Sequence, residues 1–205
     1  GYMLEAALQA GIISSGLNVS LVGPMPTPAI SYLVSTFKSQ AGIVISASHN
    51  SYEDTGIKFF DDRGQKISDE LELLIEQKIS EPIIVVEPQN LGKAARLSDA
   101  SGRYIEYCKN TFSKDLSLKN IKIVIDTANG AAYDVAPKVF KELGAEVVAI
   151  SDDPNGLNIN ENCGSTDLNV LKKAVLDNDA DFGVALDGDG DRLILVDSEA
   201  KALDG

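Results

Sequence analysis

Two short stretches hold the residue types that can do chemistry. Ser46-Ala47-Ser48-His49-Asn50 stands where the apolar run Gly42-Ile43-Val44-Ile45 stops, and it contains the only histidine of the chain. A Val- and Ile-rich run of this length reads as a buried strand. In open α/β sheets, chemistry collects just outside the carboxyl ends of strands. Ser48 would sit there on a tight turn with its hydroxyl outward. Far along the chain, Asp187-Gly188-Asp189-Gly190-Asp191-Arg192 follows directly on Phe182-Gly183-Val184-Ala185-Leu186. Alternation lets the aspartates point to one side, and glycine lets the backbone turn without a Cβ clash. Such a cluster of hard oxygen ligands suits Mg²⁺. With no cation the carboxylates would repel one another. A phosphate on Ser48 would carry about -1.5 to -2 charges and three acceptor oxygens. One of those oxygens could complete the site, with one ion held between the two halves of the chain.

Plainer readings compete with this one. The serine stretch could be a polar turn whose Ser and Asn bond their own backbone. The acidic stretch could be a solvated hairpin turn, since Asp-Gly is a common hairpin signal. That turn needs one Asp-Gly, however, not a run of aspartates between apolar strands. An EF-hand fails on spacing: with Asp187 as position 1, Arg192 falls on the glycine position and Ser198 on the glutamate position. A serine hydrolase built on Ser48 and His49 lacks an oriented third member, and a nucleophile and base adjacent in sequence rarely face each other. A non-catalytic metal-binding module is a further alternative.

The elements that must position these stretches alternate. Leu4, Ala7, Leu8 and Ile12 have helical spacing, with Gly16 as the stop. Leu17 to Val22 reads as a strand, and Gly23 to Pro28 as a stiff proline loop. Ile30, Leu33, Val34 and Phe37 predict a helix, Ile57 to Phe60 a short strand, and Leu71, Leu74, Ile75 and Ile79 a helix capped by Ser68. Pro82 to Val86 reads as an edge strand. The weakly periodic stretch after it places a domain boundary, giving domains 1–98 and 99–205. Beyond it, strands at 121–126, 146–150, 182–186 and 193–196 alternate with helices around Tyr104, Val135 and Leu171. Gly144 closes the middle helix. The pattern predicts an α/β fold: two consecutive three-layer α/β/α domains with mixed, mostly parallel sheets.

Composition narrows the function. The chain has 205 residues, 44% hydrophobic and 24% charged, as in an ordinary globular protein. Its formal net charge of -13 argues against nucleic acid and anionic membrane as partners. No apolar run reaches the ~18 residues a span needs. Cys108 and Cys163 are too few for a disulfide framework or a zinc site, so reduced thiols in a cytoplasmic protein are expected.

The runs 42–50, Gly56-Ile57-Lys58-Phe59-Phe60 and 185–192 together resemble the α-D-phosphohexomutase superfamily. Gly23 to Ala29 and Asn158 to Asp167 are similar to its phosphoglucosamine mutase branch. The resemblance implies that Ser48 is the phosphorylated serine. It makes Asp187, Asp189 and Asp191 the Mg²⁺ ligands, with the Ser48 phosphate as a further ligand. It gives Lys58 the proton of the sugar hydroxyl, makes His49 and Asn50 orienting residues of the active loop, and puts Arg192 against the phosphate. Without the resemblance, Lys58 reads as a solvent-facing lysine on an edge strand, and His49 as a packed loop histidine. The implied reaction interconverts glucosamine 6-phosphate and glucosamine 1-phosphate through a 1,6-bisphosphate, for cell-wall precursor synthesis. A mannose or glucose phosphate mutase is the sibling alternative. The resemblance implies a phosphorylated hexosamine as substrate and a homodimeric parent. Ser51 departs from the family, which usually has proline there. A first strand before Gly1, a third domain beginning near Gly205 and a fourth domain are expected beyond this stretch, which would make the chain a portion of a longer enzyme.

Overall fold

The computed structural model describes residues 1–203, so the expected start of a third domain near Gly205 lies outside the described residues. The second half shows most directly how sequence becomes sheet. Strand β5 (Lys122–Asp126) is a run of Ile and Val that is buried on both faces. Ile123 and Ile125 pack with Ala136 and Phe140 of helix α5 (Val135–Glu142). Val124, on the other face, packs with Leu171 and Val175 of helix α6 (Asn169–Asp177). A strand enclosed by helices on both sides has no need of polar alternation. Strands β6 (Glu146–Ile150) and β7 (Phe182–Leu186) flank β5 in parallel. Strands β8 (Leu193–Asp197) and β9 (Ala202–Leu203) continue the sheet antiparallel, in the order β6-β5-β7-β8-β9. The acidic stretch is therefore the loop of the β7–β8 hairpin.

The first half carries two short sheets. Strand β1 (Val19–Leu21) pairs in parallel with β4 (Ala94–Arg96). Strands β2 (Gly42–Ser46) and β3 (Gly56–Phe60) form an antiparallel hairpin with Val44 opposite Lys58. The serine stretch lies in the connection of that hairpin. Helix α1 (Tyr2–Ser14) precedes β1, and Gly16 follows it at φ +91°. Helix α2 (Thr27–Phe37) covers β2 with Leu33 and Val34 buried. It starts two residues inside the stretch expected as loop, because Pro28 in its first turn is preset for helix. Helix α3 (Asp69–Ile79) is capped as expected: Ser68 Oγ accepts from Leu71 N–H at 3.4 Å. It buries none of its residues.

Several expectations need correction. Pro82 to Val86 forms no strand; Ile83 and Ile84 are more than 80% exposed, and only Val86 N–H is tied back, to Ser14 O. The first strand shrinks from residues 17–22 to Val19–Leu21. Its partner β4 comes from the weakly periodic stretch that places the domain boundary. The sheets are mixed, as expected, but parallel and antiparallel pairings are equally common. The antiparallel share comes from three pairings, β2–β3, β7–β8 and β8–β9. Helix α4 (Ala100–Thr111) then packs Tyr104 and Ile105 against Met25, Ala29 and Leu33, so the two halves share one apolar cluster.

Candidate functional site

Four element ends converge here: the β2–β3 connection, the β7–β8 hairpin loop, the turn after β5 and the first turn of α2. The acidic hairpin loop is built on backbone contact. A Cβ on Gly130, in the turn after β5, would lie 2.3 Å from Gly188 O. A Cβ on Gly188 would lie 2.6 Å from Ser48 O. Three chain segments thus stack with no side chain between them, and Ala131 N–H donates to Gly188 O at 2.8 Å. The turn after β5 is itself fixed by buried Asp126, whose carboxylate accepts from Ala128 and Gly164 N–H at 2.9 Å each. Burial pushes the Asp126 carboxyl above its ordinary value, against the pull of those two donors.

Asp187, Asp189 and Asp191 each place a carboxylate oxygen within 4.8 Å of the others. Asp187 and Asp189 are buried and Asp191 is exposed. One oxygen of each buried pair member is used by the fold. Asp187 Oδ1 accepts from Asp191 and Arg192 N–H at 3.1 Å. Asp189 Oδ2 accepts from Thr27 Oγ1 and from Lys58 Nζ, both at 2.6 Å. The other oxygens, Asp187 Oδ2 and Asp189 Oδ1, are buried without a hydrogen-bond partner. Buried acceptors are nearly always satisfied. Two unsatisfied carboxylate oxygens beside a third carboxylate are what a bound cation would complete, and these three residues could hold a metal.

The electrostatics follow from this wiring. Burial and the neighbouring Asp189 and Asp191 charges push the Asp187 carboxyl up to about 6, although its backbone donors oppose the rise. Burial works the same way on Asp189, yet the Lys58 ammonium and the Thr27 hydroxyl hold it below its ordinary value. Lys58, on β3, also reaches Asp191 Oδ2 at 3.2 Å. Partial burial disfavours its charge, but the Asp189 and Asp191 carboxylates outweigh that and raise it.

Ser48 adopts φ +52°, a left-handed backbone uncommon for serine. Its N–H donates to Ser46 Oγ at 2.7 Å, so Ser46 serves as a local brace. His49 is exposed, with Nδ1 3.5 Å from Ser48 Oγ. That is the outer limit of a hydrogen bond, and no carboxylate orients the ring among the described residues, which disfavours a hydrolase. Asn50 is exposed, and its carbonyl oxygen accepts from Asn160 Nδ2 at 2.8 Å. Arg192 is exposed and enters the site through its backbone. Thr27 and Asn160 are contacts that sequence reading missed. Thr27 belongs to the stretch whose prolines predict a stiff loop, and a lone hydroxyl among them is the available signal. Asn160 lies within the 158–167 run that carries part of the resemblance, but nothing in the sequence singles it out from the other asparagines there.

Comparison with known proteins now has a geometry to stand on. Phosphoglucomutase/phosphomannomutase alpha/beta/alpha domain I matches residues 1–83, and domain II of the same family matches residues 102–201. The chain belongs to this family. Phosphoglucosamine mutase of Coxiella burnetii is 60% identical over all 205 residues, which span 46% of that relative. The enzyme of the same name from Aliivibrio fischeri is 58% identical over the same span. A crystal structure of a phosphoglucomutase/phosphomannomutase family protein from Burkholderia thailandensis superposes with a TM-score of 0.80 at 28% identity, covering 97% of this chain and 44% of that one. The chain thus spans about half the length of these relatives. Membership in the phosphoglucomutase/phosphomannomutase family agrees with the resemblance read from the serine and acidic stretches, and with the α/β/α layers. No helix among the described residues is long and apolar enough to cross a membrane.

Proposed function

We propose that the chain is the portion of a phosphoglucosamine mutase that carries its phosphoserine and its metal site. The carrying observation is the seating of the Ser48 backbone on the acidic loop, whose two buried carboxylate oxygens lack partners. The identity to phosphoglucosamine mutases supports the choice of substrate class. Asp187, Asp189 and Asp191, joined by a Ser48 phosphate oxygen, would hold Mg²⁺, which when bound supplies charge neutralisation at the transferring phosphoryl group.

In the intact enzyme, the Ser48 phosphoryl group passes to the 1-hydroxyl of glucosamine 6-phosphate. The bond from phosphorus to Ser48 Oγ breaks as the bond to the sugar oxygen forms. Lys58 moves the proton: its ammonium gives a proton to Ser48 Oγ as that oxygen departs and takes the sugar hydroxyl's proton in its place, while His49 and Asn50 orient the serine. The 1,6-bisphosphate reorients, its 6-phosphoryl group returns to Ser48 Oγ, and glucosamine 1-phosphate leaves. The exposed Arg192 guanidinium is free to meet phosphate oxygens. Domains 1–98 and 99–205 divide the work: the first carries Ser48 and Lys58, the second the carboxylates. Cytoplasmic location and a homodimeric parent belong to the same proposal.

The test is phosphopeptide mapping and turnover of the full-length enzyme. One phosphate on Ser48 and glucosamine 1-phosphate formation that vanishes in Ser48→Ala are expected. Ordinary turnover in Ser48→Ala would remove the phosphoserine from the mechanism.

A further inference from the structure

The long loop between β6 and α6 reaches the serine loop through one side chain. Asn160 Nδ2 donates to the carbonyl oxygens of both Ser48 and Asn50, at 2.8 Å each. A single amide thus grips the carbonyls on either side of His49. Asn160 is itself anchored: its N–H donates to Ala128 O at 2.9 Å, and its φ of +57° is one that asparagine tolerates better than most residues. Pointing both donors at the loop leaves Asn160 Oδ1 buried without a partner. The reverse orientation would set that oxygen against two carbonyl oxygens, so the amide orientation follows from chemistry.

The serine loop needs such a hold. Ser48 keeps a left-handed backbone, which persists only where the surroundings over-determine it. Among the described residues, no other side chain of the second half hydrogen-bonds residues 46–50. Beside the amide, the seam between the two loops opens into a cleft of about 210 Å³ lined by His49, Tyr52, Leu157 and Glu161 among others. Without the amide, the local brace from Ser46 would remain, but no side-chain hydrogen bond among the described residues would tie the loop to the second half.

We propose that Asn160 is a positioning residue that sets the Ser48 backbone, so that the serine oxygen returns to one place after each phosphoryl transfer. This rests on the phosphoserine reading above. Two variants separate the grip from mere space filling. Asn160→Asp keeps the volume and replaces donors by acceptors. Asn160→Gly removes the amide while tolerating the left-handed backbone.

Hydrogen exchange on this chain reads the grip directly. In both variants, the amides of residues 46–51 are expected to exchange faster by about tenfold, with those of β5 unchanged as the control for the fold. In the full-length enzyme, kcat should fall roughly 100-fold, the scale of a misplacement near 1 Å. KM for the sugar phosphate should stay within about threefold, since ground-state binding is not what the amide serves. Unchanged exchange in Asn160→Asp would overturn the grip, and faster exchange with unaltered kcat would overturn its role in positioning. If the full-length wild type turned over no phosphohexose, the mutase reading would fail while the exchange measurement still decided the grip.

Discussion

Lys58 stands where positive charge is needed, bridging Asp189 and Asp191 while two buried carboxylate oxygens nearby have no partner. Asp189→Asn should therefore weaken Mg²⁺ binding sharply in calorimetry, and unchanged affinity would take the acidic loop out of the metal site. Thr27→Val removes the buried hydroxyl that donates to Asp189, and the chain should lose about 1–3 kcal/mol in denaturant unfolding. The raised Asp187 carboxyl gives a pH dependence with a definite sign. Its native value is about 6 against an ordinary 3.8, so between these values the native state holds more protons than the unfolded state. Stability of the metal-free chain should fall as pH rises through that window. Asp187→Asn should shrink the difference between unfolding midpoints at about pH 4.5 and about pH 6.5, with raised Asp126 keeping its share. Ser48 and the aspartates were legible in the sequence because alternation and a strand end are local signals. Thr27 and Asn160 were not, because their partners lie 162 and 112 positions away and only the fold brings them together.

The elements bring the site together by touching along their backbones. A methyl group on Gly188 would lie 2.6 Å from both Ser48 O and Ile159 Cδ1, and 2.8 Å from Asn160 Nδ2. Gly188→Ala should push the serine loop off the acidic loop. Turnover of the full-length enzyme should fall roughly 100-fold, a measure of lost positioning, while circular dichroism keeps the wild-type helix and sheet signal. The strands that support this contact were readable wherever burial on two faces wrote itself as an apolar run, as in β5 and β7. Pro82 to Val86 misled for the same reason: it is apolar, yet no neighbouring strand pairs with it. Ala94-Ala95-Arg96 failed the opposite way. It is short and exposed, and is a strand only because β1 lies alongside. Antiparallel β2 and β3 could not be told from parallel strands, since the connection between them contains the serine loop and no tight two-residue turn.

At the scale of the molecule, the chain spans 46% of the phosphoglucosamine mutases it matches. By itself it should not interconvert sugar phosphates at a useful rate. On the proposed mechanism, a bisphosphate at Ser48 would need its second phosphate gripped across a cleft, and positioning can contribute ~7–11 kcal/mol to a barrier. The assay is glucosamine 1-phosphate formation with Mg²⁺ and added bisphosphate, host enzyme excluded; full turnover would show that the remaining length is dispensable. The apolar cluster that joins Met25, Ala29 and Leu33 to Ala100, Tyr104, Ile105 and Val135 has a consequence for unfolding. Two halves that share a core cannot melt apart: the chain should show a single calorimetric transition whose van't Hoff and calorimetric enthalpies agree. Tyr104→Ala, at the join, should cost about 3 kcal/mol. That loss should be felt equally by the slowest-exchanging amides of both halves, in β2 and in β5. The half that carries Ser48 and the half that carries the three aspartates would then be one cooperative unit, present or absent together.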